Sequence, residues 1–252
     1  MAGVDAPEHR YPYVVALARF YPESDDIARF CTGSLIANNW VLIAAHCFAV
    51  FDIVPINTCI IMFGNLTITP NKNNSAKILQ AISHVRFHKE RLKNDVGLLL
   101  VEHVELNSYG KLSPIDYVAL IGRTLKYVGA GLTSSDYEIE HYPVKTRIKI
   151  KKDSVRPLQV GEALAVSCMR WEKRMVGFST VSIYNNALIC LRSRCSNRLG
   201  GSQSGDSGGP LLYDDKIVGI AHGSMPSNTY EFFYTAVSPH LDWILRTVAT
   251  KR

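Results

Sequence analysis

The apolar residues of this chain come in short runs broken by glycine, asparagine and proline, and that rhythm narrows the fold more than any other feature. Apolar or β-branched runs stand at Tyr13–Ala18, Ser34–Ile36, Trp40–Ala45, Cys59–Phe63, Val96–Val101 and Lys126–Val128. They continue at Val144–Ile150, Ala163–Cys168, Pro210–Tyr213, Ile217–Ala221 and Phe232–Val237. Each has the length of a strand, so the chain reads as all-β, built as barrels or a sandwich. One helix is predicted, over 239–249. Ser238 can cap it, Pro239 suits its first position, and Leu241, Ile244, Leu245 and Val248 recur at helical spacing. Its apolar face is expected to pack on a barrel.

With 252 residues, 47% hydrophobic and 20% charged, the chain can bury a sizeable core as one large domain or two small ones. Disorder, collagen and coiled coil are excluded. The longest apolar run, Trp40–Phe51, is interrupted by His46 and closed by Asp52, well short of the roughly 20 residues of a membrane span. The start, with Asp5, Pro7 and Glu8 where a signal peptide needs an apolar stretch, reads as a mature or trimmed form or a cytosolic protein. Cysteine usage arbitrates. Cys31, Cys47, Cys59, Cys168, Cys190 and Cys195 are even in number and contain no C-x-x-C pair, which favours disulfides over zinc or a redox dithiol. Two sequons, at Asn65 and Asn73, fall in a polar stretch, as in an exposed glycosylated loop of a secreted protein.

Lys145, Arg147, Lys149 and Lys151 share one face at strand period, forming a cationic ridge. It reads as a solvated face, or else as a site for an acidic partner or anionic polysaccharide. No segment resembles a nucleic-acid-binding module. His84 and His88 have the spacing of a metal pair on a helix, but they fall in a predicted strand or loop without the further ligands such sites need, so no metal is expected.

The most specific segment is Gly205-Asp206-Ser207-Gly208-Gly209-Pro210, which average residue frequencies would give by chance in about one chain in 10⁵ of this length. Glycines around a serine let the backbone turn tightly and present N–H groups to an incoming carbonyl with no Cβ in the way. A second segment, Thr32-Gly33-Ser34 followed by Trp40-Val41-Leu42-Ile43-Ala44-Ala45-His46-Cys47, sets a histidine at the end of an apolar strand beside a cysteine. A third, Asn94-Asp95-Val96-Gly97-Leu98-Leu99-Leu100, sets one carboxylate at the mouth of another.

In the order His46, Asp95, Ser207, these segments resemble the chymotrypsin/trypsin family of serine endopeptidases, over nearly the whole chain from Gly3-Val4-Asp5-Ala6 to the terminal helix. The resemblance implies two six-stranded antiparallel β-barrels with the active site between them. The first would span 1–112 and carry His46 and Asp95, a connection would span 113–122, and the second would span 123–252 with Ser207 and the helix. It implies peptide hydrolysis through an acyl-enzyme, with Ser207 as nucleophile, His46 as base and Asp95 orienting the imidazole. The N–H groups of Gly205 and Ser207 would form the oxyanion hole. No cofactor is required. The expected partners are protein or peptide substrates and serpin-type or other protease inhibitors, for a secreted monomer activated from a zymogen.

Departures from the family pattern carry their own expectations. In the family a new N-terminal Ile or Val ammonium pairs with the aspartate before the nucleophile, here Asp206, and Met1 aligns with the second residue of that terminus. An aliphatic residue is therefore expected before Met1 in the active form. The residue six before Ser207, an aspartate in trypsin-like members, is Gly201, so cleavage after Lys or Arg is not expected. Ser202, His222 and Gly223 are assigned to the same pocket. Phe232 aligns with a pocket-lining glycine and would shorten the pocket toward small apolar side chains, or close it. The segment Ile220-Ala221-His222-Gly223 lacks the serine that normally supports the triad aspartate, and His222 either replaces that support or lines the cleft. The resemblance pairs Cys31 with Cys47 and Cys168 with Cys190, although the four cysteines beyond the first pair allow three arrangements. The alternative to an enzyme is a non-catalytic homologue that binds or regulates. The intact trio favours the enzyme.

Overall fold

Strand pairing closes the apolar runs into barrels. The computed structural model describes residues 3–21, 23, 26–89, 93–132, 137–141, 146–150, 156–168, 187–193, 203–224 and 231–251. After the short β1 (Val4–Asp5) come β2 (Val14–Tyr21), β3 (Asp26–Ala37), β4 (Trp40–Ile43), β5 (Cys59–Met62), β6 (Ser75–Ser83) and β7 (Gly97–Val101). These last six form a closed antiparallel barrel in the order β2-β3-β4-β7-β6-β5, with Ala16 opposite Met62 where β5 returns to β2.

The second barrel is built from β8 (Thr124–Gly129), β11 (Gln159–Val166), β12 (Leu188–Ser193), β13 (Pro210–Tyr213), β14 (Lys216–Ser224) and β15 (Glu231–Ala236). Its order is β11-β12-β15-β14-β13-β8, and β8 closes on β11 from Gly129 opposite Gln159 to Thr124 opposite Leu164. β1 adds to the start of β11, Val4 opposite Val160, so the N-terminal segment lies on the second barrel. Two closed six-stranded antiparallel barrels and a C-terminal helix make the chymotrypsin-like fold expected from the sequence.

In the chain between β8 and β11, β9 (Tyr137–His141) and β10 (Thr146–Ile150) form a separate two-stranded antiparallel sheet. Its register sets Arg147 opposite Glu140 and Lys149 opposite Glu138, so two positions of the cationic ridge face carboxylate positions across the ladder. Lys145 and Lys151 lie outside the described residues.

All four residues of β4 are buried. One face of the strand lines the first barrel, and the cluster it joins also takes in Val128, Leu212, Ile217, Ile220 and Val237 of the second, which makes the contact between barrels apolar. Two strands of the barrels were not legible as runs. In β6 only Ala76 and Ile78 are buried and a register shift between Ile78 and Gln80 breaks the alternation. In β12 the buried Ile189, Cys190 and Leu191 give a run too short to separate from a loop.

The helix differs at its start. Ser238–His240 form a 3-10 turn in which Ser238 makes no side-chain cap, and the α-helix, α1, begins at Leu241 and ends at Thr250. Leu241, Trp243, Ile244 and Val248 join the inter-barrel cluster, whereas Leu245 is 59% exposed. At about 100° per residue it lies outside the stripe centred on Ile244. Among the described residues no helix is long and apolar enough to cross a membrane.

Candidate active site

The buried strand β4 delivers His46. Its end runs through the small, buried Ala44 and Ala45 into a 3-10 helix over Ala45–Asp52, so His46 emerges in the first turn of that helix with 25% of its side chain exposed. Asp95 arrives from the neighbouring strand, just ahead of β7, whose Gly97 pairs with Ile43 at the end of β4; before it Asn94 takes a left-handed backbone (φ 52°) and anchors itself through its amide to the carbonyl of Arg86 at 2.9 Å. Asparagine is among the few residues that tolerate this conformation.

The two side chains meet. His46 Nδ1 lies 2.6 Å from Asp95 Oδ2, and the His46 backbone N–H donates to Asp95 Oδ1 at 2.8 Å. Asp95 is 0% exposed. A buried carboxylate is retained as an anion only where hydrogen bonds replace its water, and the ring N–H at Nδ1 provides one, which leaves Nε2 of His46 as the ring's proton acceptor.

Ser207 sits in a turn between two glycines with positive φ, Gly205 (91°) and Gly208 (85°). The first barrel grips this turn. Thr32 donates its backbone N–H to the Ser207 carbonyl at 2.8 Å, and its hydroxyl donates to the Gly205 carbonyl at 2.7 Å. The sulfur of Cys47, next to His46, lies 3.7 Å from the same Ser207 carbonyl. From the second barrel, Gly208 donates to the Ala221 carbonyl at 2.7 Å and Ala221 donates back to Gly209 at 2.8 Å. Neither the N–H of Gly205 nor that of Ser207 donates to an acceptor among the described residues.

A family model described as Trypsin matches residues 1–244. The chain belongs to the trypsin family. It is 28% identical over 259 residues to serine protease SP24D of Anopheles gambiae, covering 98% of this chain and 80% of that protein. Trypsin I-P1 of Gallus gallus is 27% identical over 256 residues, with 99% and 89% covered, and mast cell protease 8 of Mus musculus is 26% identical over 263 residues, with 98% and 88% covered. The two-barrel fold agrees with that family.

Of the residues assigned to the specificity pocket, His222, Gly223 and Phe232 are among the described residues. Gly201 and Ser202 lie outside the described residues. Phe232 is 1% exposed, with its ring on Tyr127 and Tyr234 at 5.2 and 6.2 Å, inside the second barrel. Gly223 stands opposite Phe233 in the β14–β15 ladder. His222 reaches the carboxylate of Asp95. Its Nδ1 lies 3.1 Å from Asp95 Oδ2 and 3.0 Å from Thr235 Oγ1, and its side chain is 3% exposed. Burial pushes its pKa down to about 4, with Asp95 pulling up and His46 adding to the fall. Sequence reading gave Thr235 no role. The signal was strand alternation in β15, since the inward Phe232 and Tyr234 put Phe233 and Thr235 on the other face.

Asp206 is buried and accepts from the backbone N–H groups of Gly131 and Gln203, both at 2.8 Å. Burial pushes its pKa up, while those N–H groups and Arg156 act in the opposite sense. Met1, on the expected activation terminus, lies outside the described residues. Arg156, a further residue that sequence reading missed, donates through Nε to the carbonyl of Gly131 at 2.7 Å.

Disulfides join Cys31 to Cys47 and Cys168 to Cys190. Cys59 is a buried free thiol, and Cys195 lies outside the described residues. Asn65 and Asn73 are both exposed. The His84 ring packs against His240 and Trp243 at 5.1 and 4.9 Å, while His88 bridges to Lys93. Among the described residues no group of three or more His, Cys, Asp or Glu side chains is arranged to hold a metal ion.

Proposed function

We propose that this chain is a secreted serine endopeptidase that cleaves peptide bonds through an acyl-enzyme, with Ser207, His46 and Asp95 as its triad. The observation that carries this reading is the 2.6 Å contact between His46 Nδ1 and the fully buried Asp95. A hydroxyl is a poor nucleophile until a base takes its proton. As Ser207 Oγ attacks the substrate carbonyl, its proton passes to His46 Nε2, and Asp95 holds the ring and stabilises the imidazolium. The oxyanion would be received by the N–H groups of Gly205 and Ser207, each worth roughly 3 kcal/mol in the transition state. The imidazolium then protonates the leaving amine as the C–N bond breaks. Water, activated by the same histidine, releases the acid and restores Ser207.

Residues 1–112 and 123–252 would act as the two halves of one peptidase unit joined by 113–122. Gly201 in place of a pocket aspartate favours uncharged substrate side chains. Asp206, a buried carboxylate at the foot of the Ser207 turn, suits an arriving N-terminal ammonium, which supports zymogen activation with an aliphatic residue before Met1. The exposed Asn65 and Asn73 and the two disulfides fit a secreted glycoprotein. Partners would be protein substrates and protease inhibitors.

The experiment is intact mass after exposure to a fluorophosphonate, on this chain and on one carrying Ile before Met1, with Ser207→Ala as control. Labelling at Ser207 in either supports the enzyme, and labelling in the extended chain alone supports the activation step as well. Labelling in neither, with both folded, would replace this proposal by a non-catalytic homologue.

A further inference from the structure

His222 occupies a place that strand geometry had to make for it. In the β14–β15 ladder Ala221 stands opposite Tyr234 and Gly223 opposite Phe233, so His222 is an extra residue between two consecutive pairs. A bulge of this kind re-aims a side chain, and here the imidazole is aimed at the carboxylate of Asp95. The residue before it is hydrogen-bonded to the turn that bears Ser207, through Gly208 to Ala221 and Ala221 to Gly209. The bulge therefore couples the Ser207 turn and the Asp95 carboxylate within two residues of one strand.

We infer that His222 is a positioning residue: its Nδ1–H holds the Asp95 carboxylate in the orientation that fixes the ring of His46. The inference rests on the peptidase reading only for what that ring goes on to do. Asp95 meets two nitrogens of His46, the backbone N–H at 2.8 Å and Nδ1 at 2.6 Å, and His222 Nδ1 lies 3.1 Å from the same Oδ2. A neutral imidazole has one ring proton, and beside a carboxylate that proton belongs on Nδ1, since the other tautomer would set two lone pairs against each other. Thr235 Oγ1, 3.0 Å from the same nitrogen, shares the proton and restrains the ring. Phe233 packs on its far side at 5.0 Å. Because the buried ring is neutral, it spends none of the carboxylate's negative charge, which stays available to the imidazolium that forms on His46 6.2 Å away.

Two substitutions separate donor from volume. His222→Leu fills the space without an N–H, while His222→Asn places an amide N–H close to where Nδ1 was. On the active protein, His222→Leu is expected to lower kcat by about 10- to 100-fold, the effect of leaving one lone pair of a buried carboxylate unmet, with KM within about twofold. His222→Asn is expected to recover most of the loss. A loss confined to KM would make His222 a pocket wall and overturn the inference, as would equal activity in all three proteins or equal loss in both variants. A parallel measurement needs no activity. In a Ser207→Ala background, the His46 Nδ1 proton, shifted far downfield by its short bond to Asp95, is followed by proton NMR. It should be sharp with His222 or His222→Asn and broadened or lost with His222→Leu; its persistence in the leucine variant would overturn the inference. If the parent never labels at Ser207 but this signal behaves as described, the peptidase reading falls and the positioning role stands.

Discussion

The backbone N–H of Thr32 donates to the carbonyl of Ser207 at 2.8 Å, so a strand of the first barrel fixes the glycine-flanked turn of the second. The Thr32 hydroxyl completes the link, giving its proton to Gly205 O and accepting from the N–H of Ala130 at 3.1 Å. Thr32→Val keeps the shape and the backbone bond but strands both groups in a fully buried place. Each unmet group costs about 1–3 kcal/mol, so urea unfolding should show a loss of at least about 1 kcal/mol, with slower labelling of Ser207. A valine variant as stable and as reactive as its parent would show that the hydroxyl is dispensable.

Gly208 allows no substitute. Its φ is 85°, and an added Cβ would lie 2.3 Å from the carbonyl oxygen of Thr32 and 2.5 Å from Ile43 Cγ1. The first of these is backbone that cannot give way without breaking the Thr32–Ser207 bond. Gly64 has a comparable φ of 65° with nothing nearby, so Gly64→Ala tests conformation alone and should cost about 1 kcal/mol. Gly208→Ala should cost clearly more and abolish labelling at Ser207. Equal unfolding midpoints for the two variants would refute the steric argument.

The disulfide between Cys31 and Cys47 ties β3 to the turn that carries His46, across 16 residues. A loop of that size implies about 3 kcal/mol of stabilisation on the chain-entropy model. Replacing both cysteines with alanine should lower the unfolding free energy by about that amount and also slow reaction at Ser207, because His46 precedes Cys47 directly. A full loss of stability with unchanged labelling would mean that the strand alone places the histidine.

What the sequence made legible depended on how local each feature is. The turn around Ser207 is written in consecutive residues, because positive φ on both sides demands glycine there. His46 and Asp95 were legible as chain positions at strand ends, but their meeting is a matter of barrel closure. For His222 two readings stayed open, support of Asp95 or lining of the cleft, because a bulge belongs to the register between β14 and β15, and no single strand's sequence encodes which residue is extra. Phe232 had an aligned position but no marker of direction, and the Tyr127 ring that receives it lies more than a hundred residues earlier. Leu245 fitted helical spacing and still points outward, since spacing gives a stripe but not its centre.

Acid should destabilise the protein through two buried histidines. Burial pushes the pKa of both His222 and His240 down to about 4, against about 6.5 in an unfolded chain. Between those values the unfolded state binds protons that the folded state refuses, so stability is full above about pH 6.5 and falls as pH drops toward 4. Each site can contribute up to on the order of 3 kcal/mol over that window. Asp206 works the other way, since its pKa is raised by burial and the folded state holds that proton more readily. The parent's own pH curve therefore mixes signs, and the difference between proteins is the cleaner measure. Unfolding free energies of the parent and of His240→Phe, compared at pH 7 and pH 4.5, should differ in their change with pH, the parent losing more by roughly 2 kcal/mol. Parallel losses would mean that His240 takes up its proton in the folded protein as easily as in the unfolded chain, and its packing against His84 would then have to open with acid.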